Sequence, residues 1–374
     1  MKYLFINSVY GLRSTGKLVA QQCHELQAHG HTCLAAYGRQ TAPDRAVRQL
    51  PIGGGMDQKL HWLMTRCFDR QGFSSRRATR QFLKAVDEYG PDVIWLHNLH
   101  GYYIQVELLF SYLRRHPEIQ VYWTLHDCWA FTGHCAYFTY ARCEKWKTGC
   151  EHCKSGKAYP RTLGPARGQR NYRRKKAAFT GLPNLTLITP SRWLAKLTRE
   201  SFLREYPVQV VPNTVDPGVF YPGESVIRQR NAKGDHYVIL GVAVGWENTK
   251  GFPDMLELRA RLPKQYQMVL VGVTKRQKRR LPSGIIGITA TKNQQELAQL
   301  YRAADVFVNP THQDNYPTVN LEAAACGTPV VTYDVGGSPE SVPAENVVQE
   351  GDILALVRRI TAICESRRTE QCQR

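Results

Sequence analysis

The run HQDNYPTVNLEAAACGTPVVTYDV, residues 312–335, decides the fold of the second half of the chain, because it contains a complete strand–helix–strand connection. The residues before it, 305–309, are DVFVN and predict a buried strand of a parallel sheet. A helix is predicted to begin at residues 317–318, since proline suits the first helical position, where its missing N–H would be unpaired anyway. The Gly-Thr-Pro at 327–329 predicts the end of that helix. The apolar run at 330–333 predicts the next strand.

Two carboxylates flank this predicted helix start. A helix N-terminus presents unpaired N–H groups and the positive end of the helix dipole, so it attracts anions such as phosphate. Asp314 stands just outside the helix and Glu322 within it, and carboxylates accept hydrogen bonds from sugar and ribose hydroxyls. A diphosphate with a hydroxylated ring on either side is a nucleotide-sugar. The same spacing also fits an ordinary strand–helix unit with a solvated Asp and Glu.

The composition is that of a globular protein large enough for two domains. The chain has 374 residues, of which 43% are hydrophobic and 22% charged. No run of eighteen consecutive apolar residues occurs, which argues against a membrane-spanning helix. The first residues, MKYLFIN, turn polar too soon for a signal peptide and predict a first strand, so we expect a cytoplasmic protein.

The formal net charge of +19 requires an anionic partner or a solvated surface. The cationic residues are concentrated around residues 66–80, in 161–176 and in 275–280. We interpret 275–280 as a solvated face. Because basic residues near anionic lipid stabilise binding by about 1 kcal/mol each, we expect residues 161–176 to face a membrane surface or a lipid diphosphate.

Strands and helices alternate along most of the chain, which predicts a parallel-sheet α/β architecture. Two Rossmann-like halves are expected, residues 1–208 and residues 209–374, with a proline-rich connection at the start of the second. Ligands of such sheets bind at the carboxyl ends of the strands. The predicted strands are residues 3–7, 32–37, 91–97, 121–126, 185–189, 237–243, 268–272, 305–309 and 330–333.

Polar motifs follow the predicted strands of the first half. Gly11-x4-Gly16-Lys17 is similar to a phosphate-binding P-loop, but Leu18 stands where a hydroxyl would hold magnesium, which argues against an NTPase. A plain strand–helix turn is the alternative. His126-Asp127 ends an apolar strand, so His126 is either a catalytic group or a hydrogen-bonded core histidine.

Cysteines concentrate between residues 128 and 160, in a predicted insertion. Eleven cysteines in a cytosolic chain indicate reduced thiols or metal ligands rather than disulfides. Cys150-x2-Cys153 is a chelating pair, and Cys135 and Cys143 are able to complete a tetrahedral zinc site. Reduced, partly buried cysteines in a lid-like insertion are the alternative.

Residues 305–340 resemble the E-x7-E region of retaining glycosyltransferases of family 4, with Asp314 in place of the first Glu and Glu322 as the second. The tail VGGSPE, residues 335–340, also belongs to that pattern. The resemblance implies that Asp314 contacts the donor sugar, that Glu322 contacts the ribose, and that backbone amides between them hold the diphosphate. The donor-binding residues implied there are Asn315, Tyr316, Thr318, Val319 and Glu322.

The string TLHDCWAFTGHCAY, residues 124–137, resembles an exopolysaccharide-assembling subgroup of this family, as does HNLHG at 97–101. The resemblance implies that His126 acts at the donor sugar, as a catalytic residue together with Asp314. It also implies zinc ligation by the four cysteines, whose positions recur in the subgroup. The acceptor-binding residues implied are Gly11, Thr15, Gly16, His97, Asn98 and Asp127.

Lys250 follows the first strand of the second half, in the sequence GWENTKG. Family members place an Arg and a Lys there to neutralise the leaving diphosphate, so Lys250 is implied as a donor ligand. Here Trp246 stands near the usual Arg position. One cation is therefore either absent or supplied from elsewhere.

The resemblance implies a GT-B fold, with two Rossmann-like domains facing across a cleft, and a retaining hexosyltransferase whose chemistry needs no metal. The expected donor is a UDP- or GDP-sugar, and the expected acceptor is a lipid-linked oligosaccharide of capsule, exopolysaccharide or O-antigen assembly. The protein would lie peripherally on the anionic inner face of the cell membrane. A GT-B-fold sugar-nucleotide epimerase is one alternative. A basic nucleic-acid-binding protein with a zinc knuckle is another, although we expect no nucleic-acid partner.

Overall fold

The computed structural model describes residues 1–153, 156–227 and 236–372, with side chains of the final helix described through residue 367. The chain divides into two compact units, Met1–Pro212 and Asn213–Arg374. The boundary expected from the sequence, after residue 208, lies close to this division. Residues 154–155 of the predicted cysteine-rich insertion lie outside the described residues.

The first unit is built on a parallel sheet of seven strands in the order β3-β2-β1-β4-β5-β6-β7. The sheet is buried on both faces, and Leu4, Phe5 and Ile6 in the first strand are wholly inaccessible. This burial explains the continuous apolar runs in the sequence. The strands are β1 (Lys2–Tyr10), β2 (Thr32–Thr41), β3 (Arg48–Pro51), β4 (Val93–Leu96), β5 (Gln120–Thr124), β6 (Leu185–Thr189) and β7 (Val208–Val210).

Helices connect these strands and cover the sheet. The first helix begins at Arg13, so Gly16 lies inside it. Ser191 caps the last helix, accepting the N–H of Leu194 at 3.1 Å. The helices are α1 (Arg13–Ala28), α2 (Gly55–Phe68), α3 (Arg76–Tyr89), α4 (Val106–Arg115), α5 (Gly168–Phe179) and α6 (Arg192–Glu200).

The second unit repeats this architecture with six parallel strands in the order β10-β9-β8-β11-β12-β13. Its strands are β8 (Tyr237–Val242), β9 (Tyr266–Val271), β10 (Ile285–Ile288), β11 (Val306–Asn309), β12 (Val330–Tyr333) and β13 (Val347–Val348). Its helices are α7 (Phe252–Arg261), α8 (Lys275–Lys278), α9 (Gln294–Ala303), α10 (Thr318–Ala325) and α11 (Ile353–Cys372).

Two Rossmann-like α/β units confirm the predicted fold class. All nine predicted strands are present, with ends shifted by a few residues. In the part of the chain that the structure describes, no helix is both long enough and apolar enough to cross a membrane.

Candidate functional site

The second unit has a point where its strand order reverses, between β8 and β11, which pair in parallel with Val306 opposite Ile239. In open parallel sheets, ligands bind beyond the carboxyl ends of the strands at such a point. The loops that leave β8 and β11 carry Lys250 and Asp314, respectively. The topology therefore brings the two predicted donor residues to the same place.

Lys250 and Asp314 form a salt bridge, with Nζ 2.7 Å from Oδ2. The ammonium also donates to the carbonyl of Gln313 at 3.3 Å. The other carboxylate oxygen of Asp314 accepts the N–H of Asn315 at 2.9 Å. Asp314 thus neutralises the charge of Lys250. A diphosphate that binds here would compete with Asp314 for the ammonium group of Lys250.

Two glycines fix the backbone around this pair. Gly251 follows Lys250 with a φ of 72°, and a Cβ there would lie 2.1 Å from the carbonyl oxygen of Pro310. Gly336 has a φ of 62°, and a Cβ there would lie 1.9 Å from the carbonyl oxygen of Asp314. Both positions combine the left-handed region with a backbone approach that only glycine permits. Gly336, the first glycine of the VGGSPE pattern, therefore allows the close backbone approach to the loop that carries Asp314.

Helix α10 begins at Thr318, directly after Pro317, as predicted. Two hydrogen bonds close its last turn. The N–H of Gly327 donates to the carbonyl of Ala324, and the N–H of Thr328 donates to the carbonyl of Ala323. This is a Schellman motif, with glycine at the left-handed position. The predicted helix end is thereby confirmed.

The first turns of α10 are fixed by buried amide side chains. Asn320 is fully buried, accepting from Asn309 Nδ2 at 2.8 Å and donating to Ser341 Oγ at 2.9 Å. Asn315 is also buried, and the carbonyl of Tyr316 accepts from Asn213 Nδ2 at 3.2 Å. The predicted ligands Thr318 and Val319 are half-buried in the first turn. The helix N-terminus is therefore a fixed element rather than a fraying end.

Glu322 is half-buried and accepts a hydrogen bond from the hydroxyl of Tyr301 at 3.0 Å. Tyr301 is fully buried in α9, and its own carbonyl accepts from Thr328 Oγ1. Burial, with the Glu322 carboxylate second, raises the pKa of Tyr301 far above its usual range, so the phenol remains a donor. Tyr301 orients Glu322, and no local pattern in the sequence indicated this partnership.

His312, which lies between two carboxylates near the Asp314 loop, was given no role from the sequence. His312 Nε2 lies 3.0 Å from Asp254 Oδ2, and its Nδ1 lies 2.7 Å from Glu350 Oε1. Tyr333 donates to the other oxygen of Asp254 at 2.8 Å. The hydrogen bond to Asp254 is the main reason that the pKa of His312 is raised. A protonated His312 ties the loop to α7 and to residue 350.

Trp246, which stands near the usual Arg position of the resembled family, is a core residue. Its indole Nε1 donates to the carbonyl of Val271 at 2.9 Å, and only 4% of the residue is exposed. It supplies no charge to a diphosphate. Lys250 is therefore the cation that this loop contributes.

The first unit has its own reversal of strand order, between β1 and β4. His97 follows β4, and His126 follows the neighbouring strand β5. His97 Nδ1 and His126 Nε2 are 2.9 Å apart, so one ring donates to the other. Burial lowers the pKa of His126 to about 4 and that of His97 well below its usual range. Both rings are neutral near pH 7.

Asp127 is held by other protein groups. Its Oδ2 lies 2.8 Å from His100 Nε2, and its Oδ1 accepts the N–H of Trp129 at 2.9 Å. Burial alone would raise the pKa of Asp127, but His100 and the backbone N–H outweigh it, so the net pKa is lowered. His100 also lies 3.1 Å from the hydroxyl of Tyr159. His100 belongs to the HNLHG motif of the sequence, but the motif did not indicate Asp127 or Tyr159 as its partners.

The glycines of the P-loop-like motif serve packing. The N–H of Gly11 donates to the carbonyl of Gly16 at 2.8 Å. A Cβ on Gly16 would lie 3.0 Å from Val9 Cγ2, so this glycine allows α1 to approach β1. Thr15 lies in the first turn of α1, and the N–H of Asn98 donates to Asn7 Oδ1 at 3.3 Å. These contacts are those of a closely packed strand–helix turn, and acceptor binding by Gly11, Thr15 and Gly16 stays a prediction.

The four predicted zinc ligands share one neighbourhood. Burial raises the pKa of Cys135 to about 12, with smaller contributions from Cys153, Cys150 and Cys143. Cys150 Sγ accepts the N–H of Gly133 at 3.1 Å. Nevertheless, among the residues that the structure describes, no three His, Cys, Asp or Glu side chains are arranged to hold a metal ion. The donor atoms suit zinc, and zinc ligation by these four cysteines stays a prediction.

Two of the seven cations in residues 161–176 serve the interior. Lys175 is buried, donates to the carbonyls of Trp129 at 2.6 Å and Thr132 at 3.0 Å, and burial lowers its pKa to about 7. Arg174 forms a two-pronged ion pair with Glu107 at 2.7 and 2.8 Å. The expectation that this whole segment is a lipid-facing surface therefore needs correction for these two residues.

Comparison with known proteins identifies the class to which this site belongs. Residues 236–366 match the family model described as glycosyl transferases group 1. These residues include Lys250, Asp314 and Glu322, and the first unit lies outside the match. The similarity to this family is therefore confined to the second unit.

Curated relatives agree with that domain. The chain is 24% identical over 294 residues to the putative colanic acid biosynthesis glycosyl transferase WcaC of Escherichia coli (strain K12), covering 72% of this chain and 67% of that protein. It is 32% identical over 155 residues to a D-inositol 3-phosphate glycosyltransferase of Actinosynnema mirum, covering 36% of this chain and 37% of that protein. The second similarity thus spans little more than a third of that relative.

Solved structures show the same fold over nearly the whole chain. WaaG, a glycosyltransferase involved in lipopolysaccharide biosynthesis, superposes with a TM-score of 0.65 at 16% identity, covering 97% of this chain and 92% of WaaG. Anabaena HepE in complex with UDP gives a TM-score of 0.63 at 16% identity, covering 98% and 90%. The fold is therefore that of GT-B glycosyltransferase structures, and the second unit is similar in sequence to glycosyl transferases group 1.

Proposed function

We propose that the protein is a retaining family 4 glycosyltransferase, which moves a sugar from a UDP- or GDP-sugar to a lipid-linked oligosaccharide. The observation that carries this proposal is the 2.7 Å pair of Lys250 and Asp314 at the β8–β11 reversal, directly before the fixed N-terminus of α10. A cation and a helix start attract the diphosphate, and a carboxylate accepts sugar hydroxyls.

The proposed reaction depends on stabilising the leaving group. Breaking the glycosyl–phosphate bond leaves a nucleoside diphosphate and an oxocarbenium-like carbon, so fixed positive groups near the diphosphate lower the barrier. Lys250 would release Asp314 and take the diphosphate, and the backbone at Thr318 and Val319 would hold its oxygens. Glu322, oriented by Tyr301, would accept from the ribose, and Asp314 would then accept from the donor sugar.

His126 would contribute a hydrogen bond to the donor sugar rather than a proton. Its pKa of about 4, which results from burial, leaves the ring neutral near pH 7. A neutral ring paired with another neutral histidine is a poor general acid at that pH. We therefore assign His126 to positioning of the sugar at the reacting carbon.

The relatives support polysaccharide assembly as the context. WcaC is a putative glycosyl transferase of colanic acid biosynthesis, and WaaG is involved in lipopolysaccharide biosynthesis. The structure of HepE contains UDP. The proposed acceptor is carried on a lipid, and the net charge of +19 favours an anionic surface. We therefore propose a peripheral location on the inner face of the cell membrane.

We also propose that the four cysteines of the insertion bind a structural zinc ion, since thiolate sulfur atoms are suitable zinc ligands.

Calorimetric titration with a panel of UDP- and GDP-sugars, followed by transfer assays on membrane lipid extracts, tests this proposal. We expect one donor to bind and its sugar to appear on a lipid with retained anomeric configuration. Conversion of the donor into an epimer without an acceptor would instead establish the epimerase alternative. Failure of every nucleotide-sugar to bind would refute both.

A further inference from the structure

Helix α2 exposes its apolar side to solvent. Met56, Leu60, Leu63 and Cys67 recur at intervals of four, three and four residues, so they form one stripe along the helix. Met56 is 78% exposed, Leu60 59% and Leu63 48%, and Cys67 is also exposed. A surface helix of a globular protein ordinarily turns such a stripe toward the core. Here the stripe faces away from it.

The opposite side of α2 is polar and buried. His61 is 1% exposed, its Nε2 accepts the N–H of Gly72 at 3.2 Å, and its Nδ1 lies 2.8 Å from Ser75 Oγ. Thr65 is fully buried and donates to the carbonyl of His61 and to the side chain of Gln71. Polar contacts therefore attach the helix to the unit, and its leucines are not needed for that attachment.

Cationic and aromatic side chains border the stripe. The guanidinium of Arg66 lies 5.4 Å from the ring of Trp62, which is 45% exposed, and Lys59 is exposed one turn earlier. The N–H of Leu163, which is itself 77% exposed, donates to the carbonyl of Arg66 at 2.7 Å. A second apolar residue is thus held beside the end of the stripe. Arg167 lies over the ring of Phe68 at 5.9 Å.

We propose that α2 docks on an anionic lipid bilayer, with Met56, Leu60 and Leu63 in the acyl boundary and with Lys59 and Arg66 at the phosphates. An outward apolar stripe with Trp and basic residues on its flank is the arrangement of helices that lie in a membrane interface. A second copy of this chain is disfavoured as the occupant, because pairing the two faces would bring like charges together.

This inference deepens the proposed function, since a membrane-bound acceptor requires the enzyme to reach the bilayer, and it names the surface that does so. It adds to the expectation from the sequence, which placed lipid contact at the basic run 161–176. The apolar stripe of α2, rather than the basic run alone, would give the contact its depth.

The test is flotation of the full-length protein with vesicles. We expect binding to phosphatidylcholine vesicles that contain phosphatidylglycerol, weakening with salt, and much weaker binding to phosphatidylcholine alone. Leu60→Gln with Leu63→Gln should weaken partitioning about thirtyfold, because two half-exposed leucines lose their burial in the acyl boundary. Leu354→Gln, on a 54% exposed leucine of α11, is the matched control and should bind as the wild type does.

Reactivity of Cys67 provides an independent readout, since anionic vesicles should protect this exposed thiol from a water-soluble maleimide. Wild-type vesicle binding by the double variant, at an unchanged melting temperature, would overturn the proposal. The proposal would also be overturned if the wild type formed a dimer and bound no vesicles and the double variant were monomeric. That result would show that a second copy of the chain covers the stripe. Donor titration of the same samples separates this outcome from failure of the proposed activity, because α2 contributes no residue to the donor site.

Discussion

Replacement of Lys250 by methionine separates a ligand role from a structural one. The Lys250 side chain is 35% exposed and that of Asp314 is 18% exposed, so their salt bridge is partly solvated. Such a pair contributes only about 0–1 kcal/mol to folding. Asp314 also retains the N–H of Asn315 after the replacement. We therefore expect the free energy of unfolding to fall by less than about 1 kcal/mol.

The effect on the donor should be larger. A hydrogen bond to a charged group contributes about 1.5–3 kcal/mol, which corresponds to a roughly ten- to 150-fold change in affinity. Isothermal titration of the matching nucleoside diphosphate and nucleotide-sugar measures this loss. Lys275→Met is the matched control, since Lys275 is an exposed lysine in the short helix α8 of the same unit. It should leave both affinities unchanged.

Asp314→Asn provides the complementary measurement. Since Asp314 competes for the ammonium of Lys250, its neutralisation should leave binding of the free nucleoside diphosphate unchanged or strengthen it. Sugar transfer should fall, because the amide is a weaker acceptor for sugar hydroxyls than the carboxylate. Unaltered diphosphate affinity in Lys250→Met, or an equal loss in Lys275→Met, would refute the reasoning.

Four further predictions concern other parts of the molecule. Glu322→Ala should weaken nucleotide-sugar binding about tenfold through loss of a charged acceptor, whereas Tyr301→Phe should weaken it less; calorimetry compares the two. His126→Ala should lower kcat with little change in donor affinity. Steady-state kinetics and a separate donor titration measure the two quantities, and a loss in affinity at unchanged kcat would contradict this prediction. Metal analysis of the purified protein should find about one zinc per chain, and Cys135→Ser should abolish it and lower the melting temperature; a metal-free wild type of equal stability would exclude the site. Because the folded-state pKa of His312 is raised, its stabilising contribution should be present in mild acid and lost as pH rises through that pKa, and chemical denaturation should show this loss in the wild type and not in His312→Gln.

The sequence predicted the two-unit parallel-sheet fold, and its donor-site residues stay predictions. Strand positions followed from continuous apolar runs, and the bounds of α10 followed from Pro317 and Gly327, since these signals act over a few neighbouring residues. The alternation of strands and helices then predicted two parallel sheets. The P-loop-like spacing of Gly11 and Gly16 has a packing reason as well, because Gly16 allows α1 to approach Val9 of β1 and Gly11 lies close to Ala42.

Partnerships between distant residues could not be predicted in this way. Tyr301 was missed as the partner of Glu322, and Asp254 as the partner of His312, because no short-range pattern links residues on different helices and loops. The outward stripe of α2 was missed for a related reason. Its periodicity shows that the helix has an apolar side, but the buried contacts of His61 and Thr65 decide which way that side faces.

The amino-acid sequence by itself determined the secondary structure, the alternation of strands and helices and the chemical character of the residues in the β8 and β11 loops, because propensity, periodicity and charge are local properties. Only the tertiary structure decided that Lys250 meets Asp314, which lies 64 positions away. It also decided that His97 pairs with His126. The physical reason is strand order: β8 pairs with β11 and β4 with β5, so the loops beyond their carboxyl ends converge whatever their separation along the chain.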